Sequence, residues 1–267
     1  MFLCDTHCHL NLNIFKADLE SVLARSRQAG LERILVPGID LPTSRTAVRL
    51  AEQWPEIYAA VGIHPNDGLT WKSDTLTELR ELARHPKVCA IGEIGLDYYR
   101  DRCPRNAQAD VLRQQLDLAG ELGLPVVIHN RDAYEDLFPI LSAWAHGLQS
   151  LGSPLADRPG VLHSFDGSLE QAEALINLNF LIGLNGPVTF KNAHDRHLAA
   201  RQLPLDVLLL ETDAPFLTPH PHRGERNEPS FIQYINGKIA DLRGISADLT
   251  AETTSNNAQR LFSWRTA

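Results

Sequence analysis

The stretch VLRQQLDLAGELGLPVVIH, residues 111–129, sets the architecture of the chain. Val111, Leu112, Gln115, Leu116, Ala119 and Leu122 recur at helical spacing, and Gly123 is the residue type that commonly ends a helix. Pro125-Val126-Val127-Ile128 is then apolar at both parities and too short for a helix, so it reads as a strand buried on both faces. A helix that feeds such a strand is half of a βα repeat. Similar runs occupy residues 2–7, 33–37, 57–62, 88–92, 160–163, 180–183 and 207–211, with helical stretches between them. Eight strands close a barrel, and about 250 residues is the usual length for one. The 267 residues are therefore expected to form one α/β domain, 1–267, a (β/α)8 TIM-type barrel with its active site at the C-terminal rim of the strands.

Local signals agree with this division. Leu19, Val22, Leu23 and Ser26 share a face before Gly30, Ser168-Leu169-Glu170-Gln171 fits a capping box, and Pro229 suits the first turn of a helix carrying Ile232, Ile235 and Ile239. A last helix is expected over 248–262. The periodicity over 191–203 is short, and residues 150–159 read as a turn-rich loop.

Composition narrows the function. No apolar run approaches the ~20 residues needed to span a bilayer, and Asp5 interrupts the opening too early for a signal-peptide core, so a soluble cytoplasmic protein with no membrane partner is expected. The four cysteines (4, 8, 89 and 103) include no C-x-x-C pair and are expected to be reduced. A net charge of −8 argues against coating nucleic acid, which depends on many Lys and Arg. It leaves room for an enzyme that engages one strand end. Arg100, Arg102, Arg105, Lys191 and Arg196 are interleaved with Asp97, Asp101 and Asp195, which breaks up any continuous basic track.

In a (β/α)8 barrel the strand ends carry the chemistry. Here they carry His7 and His9, Glu93, His129, His163 and Asp213. Residues i and i+2 of a strand share a face, so both imidazoles of His7-Cys8-His9 can reach one ion, while Cys4 and Cys8 point the other way. Glu93 lies among small and apolar residues in Ile91-Gly92-Glu93-Ile94-Gly95, where an uncompensated carboxylate is costly and cations compensate it well. Asp213 follows the most hydrophobic strand. Glu211 shares its parity one layer deeper and reads as a structural or supporting group. Of the other histidines, His64 is a candidate substrate contact or a loop-structuring residue; His85 and His146, the latter in a polar loop, read as solvent-facing. His194 and His197, and the loop pair His220 and His222, make poor sites.

These motifs together resemble the TatD family of metal-dependent deoxyribonucleases, within the broader amidohydrolase-like barrels. The resemblance rests on Asp5-Thr6-His7-Cys8-His9-Leu10, Gly62-Ile63-His64-Pro65, Gly92-Glu93-Ile94-Gly95-Leu96-Asp97-Tyr98-Tyr99, His129-Asn130-Arg131, His163-Ser164-Phe165, Glu211-Thr212-Asp213-Ala214-Pro215-Phe216-Leu217 and Arg223-Gly224-Glu225-Arg226-Asn227-Glu228-Pro229. It implies that His7, His9, Glu93, His129, His163 and Asp213 bind metal, that DNA is the partner and substrate, and that cleavage runs 3′ to 5′. Phe216 stands where the family commonly has Tyr, and an insertion-like loop over 144–159 is expected to alter access to the sixth strand's rim.

On this basis two divalent ions are expected, drawn from Mg, Mn, Zn, Co or Ni. His7 and His9 would hold one with Asp213, His129 and His163 the other, with Glu93 bridging; Asp213 and Glu93 are thus the catalytic carboxylates, Asp213 being the general base. His64, Arg131, Arg223, Arg226 and Tyr98 are the candidate substrate contacts. The same metals would serve an amide or ester hydrolase, such as an aminoacyl-tRNA deacylase. A non-catalytic metal-holding or nucleic-acid-binding module is the third reading, which the intact ligand set disfavours.

Overall fold

A computed structural model describes residues 2–100 and 102–264, so Asp101 lies outside the described residues. Eight strands form one sheet in the order of the chain: β1 Leu3–Asp5, β2 Leu31–Pro37, β3 Ile57–Val61, β4 Val88–Asp97, β5 Val126–Arg131, β6 Gly160–Leu162, β7 Leu181–Leu184 and β8 Leu208–Leu210. The helices are α1 Leu19–Gln28, α2 Leu41–Gln53, α3 Thr75–Leu82, α4 Arg105–Leu122, α5 Tyr134–Ser150, α6 Leu169–Ile176, α7 His194–Gln202, α8 Ile232–Arg243 and α9 Ala247–Phe262. Strands in sequence order, parallel and separated by helices, are the (β/α)8 TIM-barrel fold expected from the sequence. No helix of the described residues is long and apolar enough to cross a membrane.

The chain gathers into two compact units. The first holds Met1–Val36, His163–Ile176 and Leu181–Arg260, and so brings together both ends of the strand order. There the Thr6 N–H donates to the Leu210 carbonyl at 3.0 Å, the Asp213 N–H donates to the His7 carbonyl at 2.8 Å, and Cys8 bridges Ala214 in parallel. The last strand is thereby tied to the first, which leaves no open edge there. The second unit holds Pro37–Leu162, Asn177–Phe180 and Leu261–Ala267, with β3 to β6 and α2 to α5.

The signals read from sequence have physical counterparts. Val111, Leu112, Gln115, Leu116 and Ala119 are buried on α4, and Gly123 ends it with φ 66°, a conformation that favours glycine. Gln115 belongs to the apolar face because its amide takes the N–H and C=O of Ile63, at 2.7 and 3.1 Å. The Ser168 and Gln171 side chains cap each other's backbone N–H at the start of α6. All four cysteines are buried thiols.

Several boundaries differ from expectation. β4 runs to Asp97, five residues past the expected end at Gly92, because the ladder to β5 shifts register between Ile91 and Ile94 and then resumes through Asp97 opposite Arg131. Such a bulge absorbs one residue and lets the strand continue. The close approach depends on Gly95, where a Cβ would lie 1.9 Å from the His129 carbonyl oxygen. β1 is shorter than expected and ends at Asp5, so His7 and His9 lie beyond it, on either side of the isolated bridge at Cys8. The segment expected as an inserted loop over 144–159 is the end of α5 followed by a 3-10 turn, Pro154–Asp157, and His146 is an exposed residue of that helix instead of a loop residue.

Candidate metal centre

Five ligand-type side chains meet in the first unit. His7, His9, His163, Glu211 and Asp213 are all buried, the most exposed of them at 8%. The Nε2 atoms of His7 and His9 lie 3.2 Å apart, and Asp213 Oδ1 is 3.9 and 3.5 Å from them respectively. The His163 ring stacks on His7 at 3.8 Å, and its Nδ1 is 3.6 Å from Glu211 Oε1. His7, His9 and Asp213 can each offer one atom within 4.8 Å of the others, and so can His7, His163 and Glu211.

The backbone holds this group from beneath. Buried Asp5 accepts the N–H of His7 at 3.2 Å and that of Thr212 at 2.9 Å on one oxygen, and takes the Thr212 hydroxyl at 2.5 Å on the other. It thereby fixes the start of the His7 segment to the start of the Asp213 segment. Burial outweighs these hydrogen bonds and pushes the Asp5 carboxyl up to about 8. Asp213 itself sits in the left-handed region, φ 57°, a conformation that Asp tolerates better than most residues. Burial tends to raise its pKa, but the hydrogen bond from His9 and the charges of His163, His7 and His9 prevail and lower it. Asp213 is therefore ionised at neutral pH.

The second unit assembles another group. Glu93 Oε1 lies 2.8 Å from His129 Nδ1 and 3.6 Å from His64 Nε2, and the three residues offer atoms mutually within 4.8 Å. On its far side the His129 ring presents Nε2 to Asp97 Oδ2 at 3.2 Å. Asp97 is buried, yet the hydrogen bond from His129 and the N–H of Arg100, with the His129 charge and Asn66, overcome the effect of burial and hold its carboxyl well below the usual range. His64 also structures its loop, since its Nδ1 accepts the Asn66 N–H at 3.1 Å.

The donor chemistry fits divalent cations in both units. Imidazoles converge with carboxylates, the ligand types of Zn and of other first-row ions. Among the described residues no Lys or Arg pairs with Glu211 or Asp213, and Glu211 Oε2 is buried without a hydrogen-bond partner. A carboxylate so placed is compensated well by an ion.

The chain matches the TatD related DNase family over residues 4–263. It belongs to that family. It is 45% identical over 260 residues to an uncharacterized metal-dependent hydrolase, YabD, of Bacillus subtilis (strain 168), covering 97% of this chain and 98% of that one. It is 36% identical over 264 residues to the 3′-5′ ssDNA/RNA exonuclease TatD of Erwinia tasmaniensis, with 97% and 98% covered. Among solved structures it resembles YjjV, a TatD homologue from Escherichia coli K12, with TM-score 0.90 and 35% identity over 98% of both chains. The protein is thus a TatD-family metal-dependent hydrolase.

Within this TatD-family fold His7, His9, His163 and Asp213 lie just beyond strand ends, His129 lies near the end of β5, and Glu93 lies inside β4, which runs on to Asp97. His7, His9, His163 and Asp213 come together in one unit, and Glu93 and His129 in the other. Three residues outside the expected ligand set join them: Glu211 beside His163, Asp97 behind His129, and His64 beside Glu93. The period-two run Glu93, Gly95, Asp97 carried a signal for the second, concealed by ending the strand at Gly92.

The candidate substrate contacts have structural partners. Tyr98 donates its hydroxyl to Asp136 at 2.8 Å and packs under Arg105, whose Cζ is 4.0 Å from the ring centre. Arg131 stacks on exposed Tyr99 at 3.6 Å, and Arg223 on Phe190 at 4.3 Å. Arg226 grips Asp18 with two hydrogen bonds, at 2.9 and 2.6 Å, and a third goes to the Ile14 carbonyl, so it ties the loop to the region before α1. His222 is engaged by Glu225 and Tyr234, and His197 reaches the Val188 carbonyl.

Proposed function

We propose that the protein is a 3′-to-5′ exonuclease acting on the ends of DNA strands, with two divalent ions held by His7, His9, His163 and Asp213 and by Glu93 and His129. The observation that carries the reading is the pair of buried imidazole–carboxylate groups, three of whose residues, His7, His9 and Asp213, lie together with no Lys or Arg among the described residues neutralising the acid. The Erwinia tasmaniensis relative, a 3′-5′ ssDNA/RNA exonuclease, supports the choice of substrate. Glu211 and His64 are additional donors to the same two groups.

Bound divalent ions would supply Lewis acidity toward water and neutralise charge on the phosphodiester. The protein's own groups do the rest. Asp213, ionised and buried beside His9, accepts the proton of the attacking water. Asp5 and Thr212 hold His7 and Asp213 in register, so that the base and the imidazoles keep one geometry through turnover. Arg131 and Arg223, each held over an aromatic ring, supply guanidinium donors for phosphate oxygens.

The test combines metal content with hydrolysis of 3′-labelled and 5′-labelled oligonucleotides. Chelation abolishes cleavage, and Asp213→Asn slows turnover roughly 10²–10⁴-fold while the remaining ligands keep metal near wild-type stoichiometry. Full activity without metal, or an Asp213→Asn enzyme with near wild-type turnover, overturns the mechanism. Hydrolysis of aminoacyl-tRNA or simple esters in place of oligonucleotides overturns the substrate assignment.

A further inference from the structure

We infer that Asp97 is a positioning residue that keeps the ring proton of His129 on Nε2 and so leaves Nδ1 to bind a cation beside Glu93. The inference rests on the reading above that His129 is a metal ligand, and it adds what makes it one.

A neutral imidazole carries its proton on one nitrogen and can ligate only through the other, so the partner of the protonated nitrogen selects the ligating one. In His129 the two nitrogens face different acids. Nδ1 lies 2.8 Å from Glu93 Oε1 in the group that includes His64, whereas Nε2 faces Asp97 Oδ2 at 3.2 Å, away from that group. Both acids are buried, Glu93 3% and Asp97 1% exposed.

Asp97 is built to stay where it is. Its Oδ1 accepts the N–H groups of Tyr99 and Arg100, both at 3.0 Å, and its Oδ2 accepts the Asn66 amide at 2.9 Å as well as His129. Its backbone is clamped by Gln108, which accepts its N–H at 2.8 Å and donates to its C=O at 3.0 Å. Asp97 also ends β4 opposite Arg131 of β5, so a single register fixes both it and His129, which pairs with Gly95. A carboxylate fixed in this way, and able only to accept, demands a donor from the imidazole.

Asp97→Asn reverses that demand. The amide oxygen can keep the two N–H groups now on Oδ1, which places the NH2 against His129 Nε2; Asn66 can turn its amide to accept, since its own oxygen is buried without a partner. The imidazole must then accept at Nε2 and carry its proton on Nδ1, where a cation would bind.

The experiment uses the folded full chain loaded with Zn²⁺ and labelled with ¹⁵N-histidine, with His129→Gln to assign the resonance. Long-range ¹H–¹⁵N correlation is expected to show His129 protonated at Nε2 and metal-shifted at Nδ1. The Zn²⁺ dissociation constant of Asp97→Asn, measured by chelator competition, should rise roughly 10–100-fold. Asn66→Ala, which removes one bond to the same oxygen but leaves the carboxylate, should move it by less than about threefold. Zn²⁺ bound through Nε2 in the wild type overturns the inference, and that measurement needs no variant to fold. So does an Asp97→Asn protein that loses thermal stability yet keeps wild-type affinity and tautomer, which would make Asp97 only a loop anchor. A wild-type His129 signal unmoved by Zn²⁺, while metal binds elsewhere, removes His129 from the ligand set and the inference with it.

Discussion

Adding one methyl group to β7 tests whether Glu211 holds metal. Gly183 pairs with Leu209 in the β7–β8 ladder, and a Cβ at 183 would lie 2.5 Å from Glu211 Oε2, 2.9 Å from its Cδ and 3.1 Å from Oε1. Ordinary contact begins near 3.4 Å, so in Gly183→Ala the carboxylate or the strand must give by about 0.9 Å. Metal–ligand distances tolerate about 0.2 Å, and Glu211 has little freedom to retreat, being fully buried with Oε1 accepting the Ser164 N–H beside His163. The substitution should therefore cost about 1–3 kcal/mol through overpacking and also weaken metal binding roughly tenfold or more. Thermal melts of metal-free protein read the first effect, and Zn²⁺ titration against a competing chelator reads the second. Glu211→Gln, which keeps the volume and removes the charge, should reproduce the loss of affinity with a smaller loss of stability. A folded Gly183→Ala protein with wild-type metal affinity would refute the reasoning and return Glu211 to a purely structural role, tying Ser164 to the end of β8.

Three further outcomes are expected. Covalently closed circular DNA should be cut far more slowly than linear strands, because Arg105 is engaged over Tyr98 and Arg196 pairs with Asp166 at 3.7 Å, and a groove that follows many phosphates depends on unengaged cations; gel assays of both forms check this. Phe216 is 52% exposed, its ring 6.0 Å from that of His9, while its backbone is fixed by Asn227 and Asp213, so Phe216→Ala should raise KM for oligonucleotides about tenfold through lost base stacking, with kcat nearly kept, in steady-state kinetics. Ellman's reagent at pH 8 should find no reactive thiol until the protein unfolds, since all four cysteines are buried and desolvation pushes Cys4 up to about 11, leaving it protonated.

The repeat was legible because parallel strands buried on both faces are short apolar runs, and the intervening helices carry their own stops. Gly123 ended α4 where the sequence placed it, and Pro229 opened a 3-10 turn that runs directly into α8. The expected ends failed where the backbone departs from a regular pleat. The register shift between Ile91 and Ile94 is set by packing against β5 and by the contact of Gly95 with the His129 carbonyl, neither of which is a local property of residues 88–97. Alternation counted along β4 without that bulge ends the strand too soon, and Asp97 then looks like one more loop acid among arginines.

The same distinction separates the residues that sequence finds from those it misses at the site. A candidate ligand announces itself by residue type at or near a strand end, as His7, His129 and Asp213 do. A residue that aims a ligand has no such mark, because its meaning lies in what faces it: Asp97 becomes informative only once His129 turns Nε2 toward it, and Asp5 only once Thr212 supplies two donors from 207 residues away. Glu211 shows the converse. Reading it as one layer too deep treats depth along β8 as distance from the site, yet His163 stacks face to face on His7 and turns its Nδ1 toward that layer. The depth at which a cation can be held is thus set by how the imidazoles pack against one another, and on that geometry the inner carboxylate is as well placed to meet a cation as the outer one.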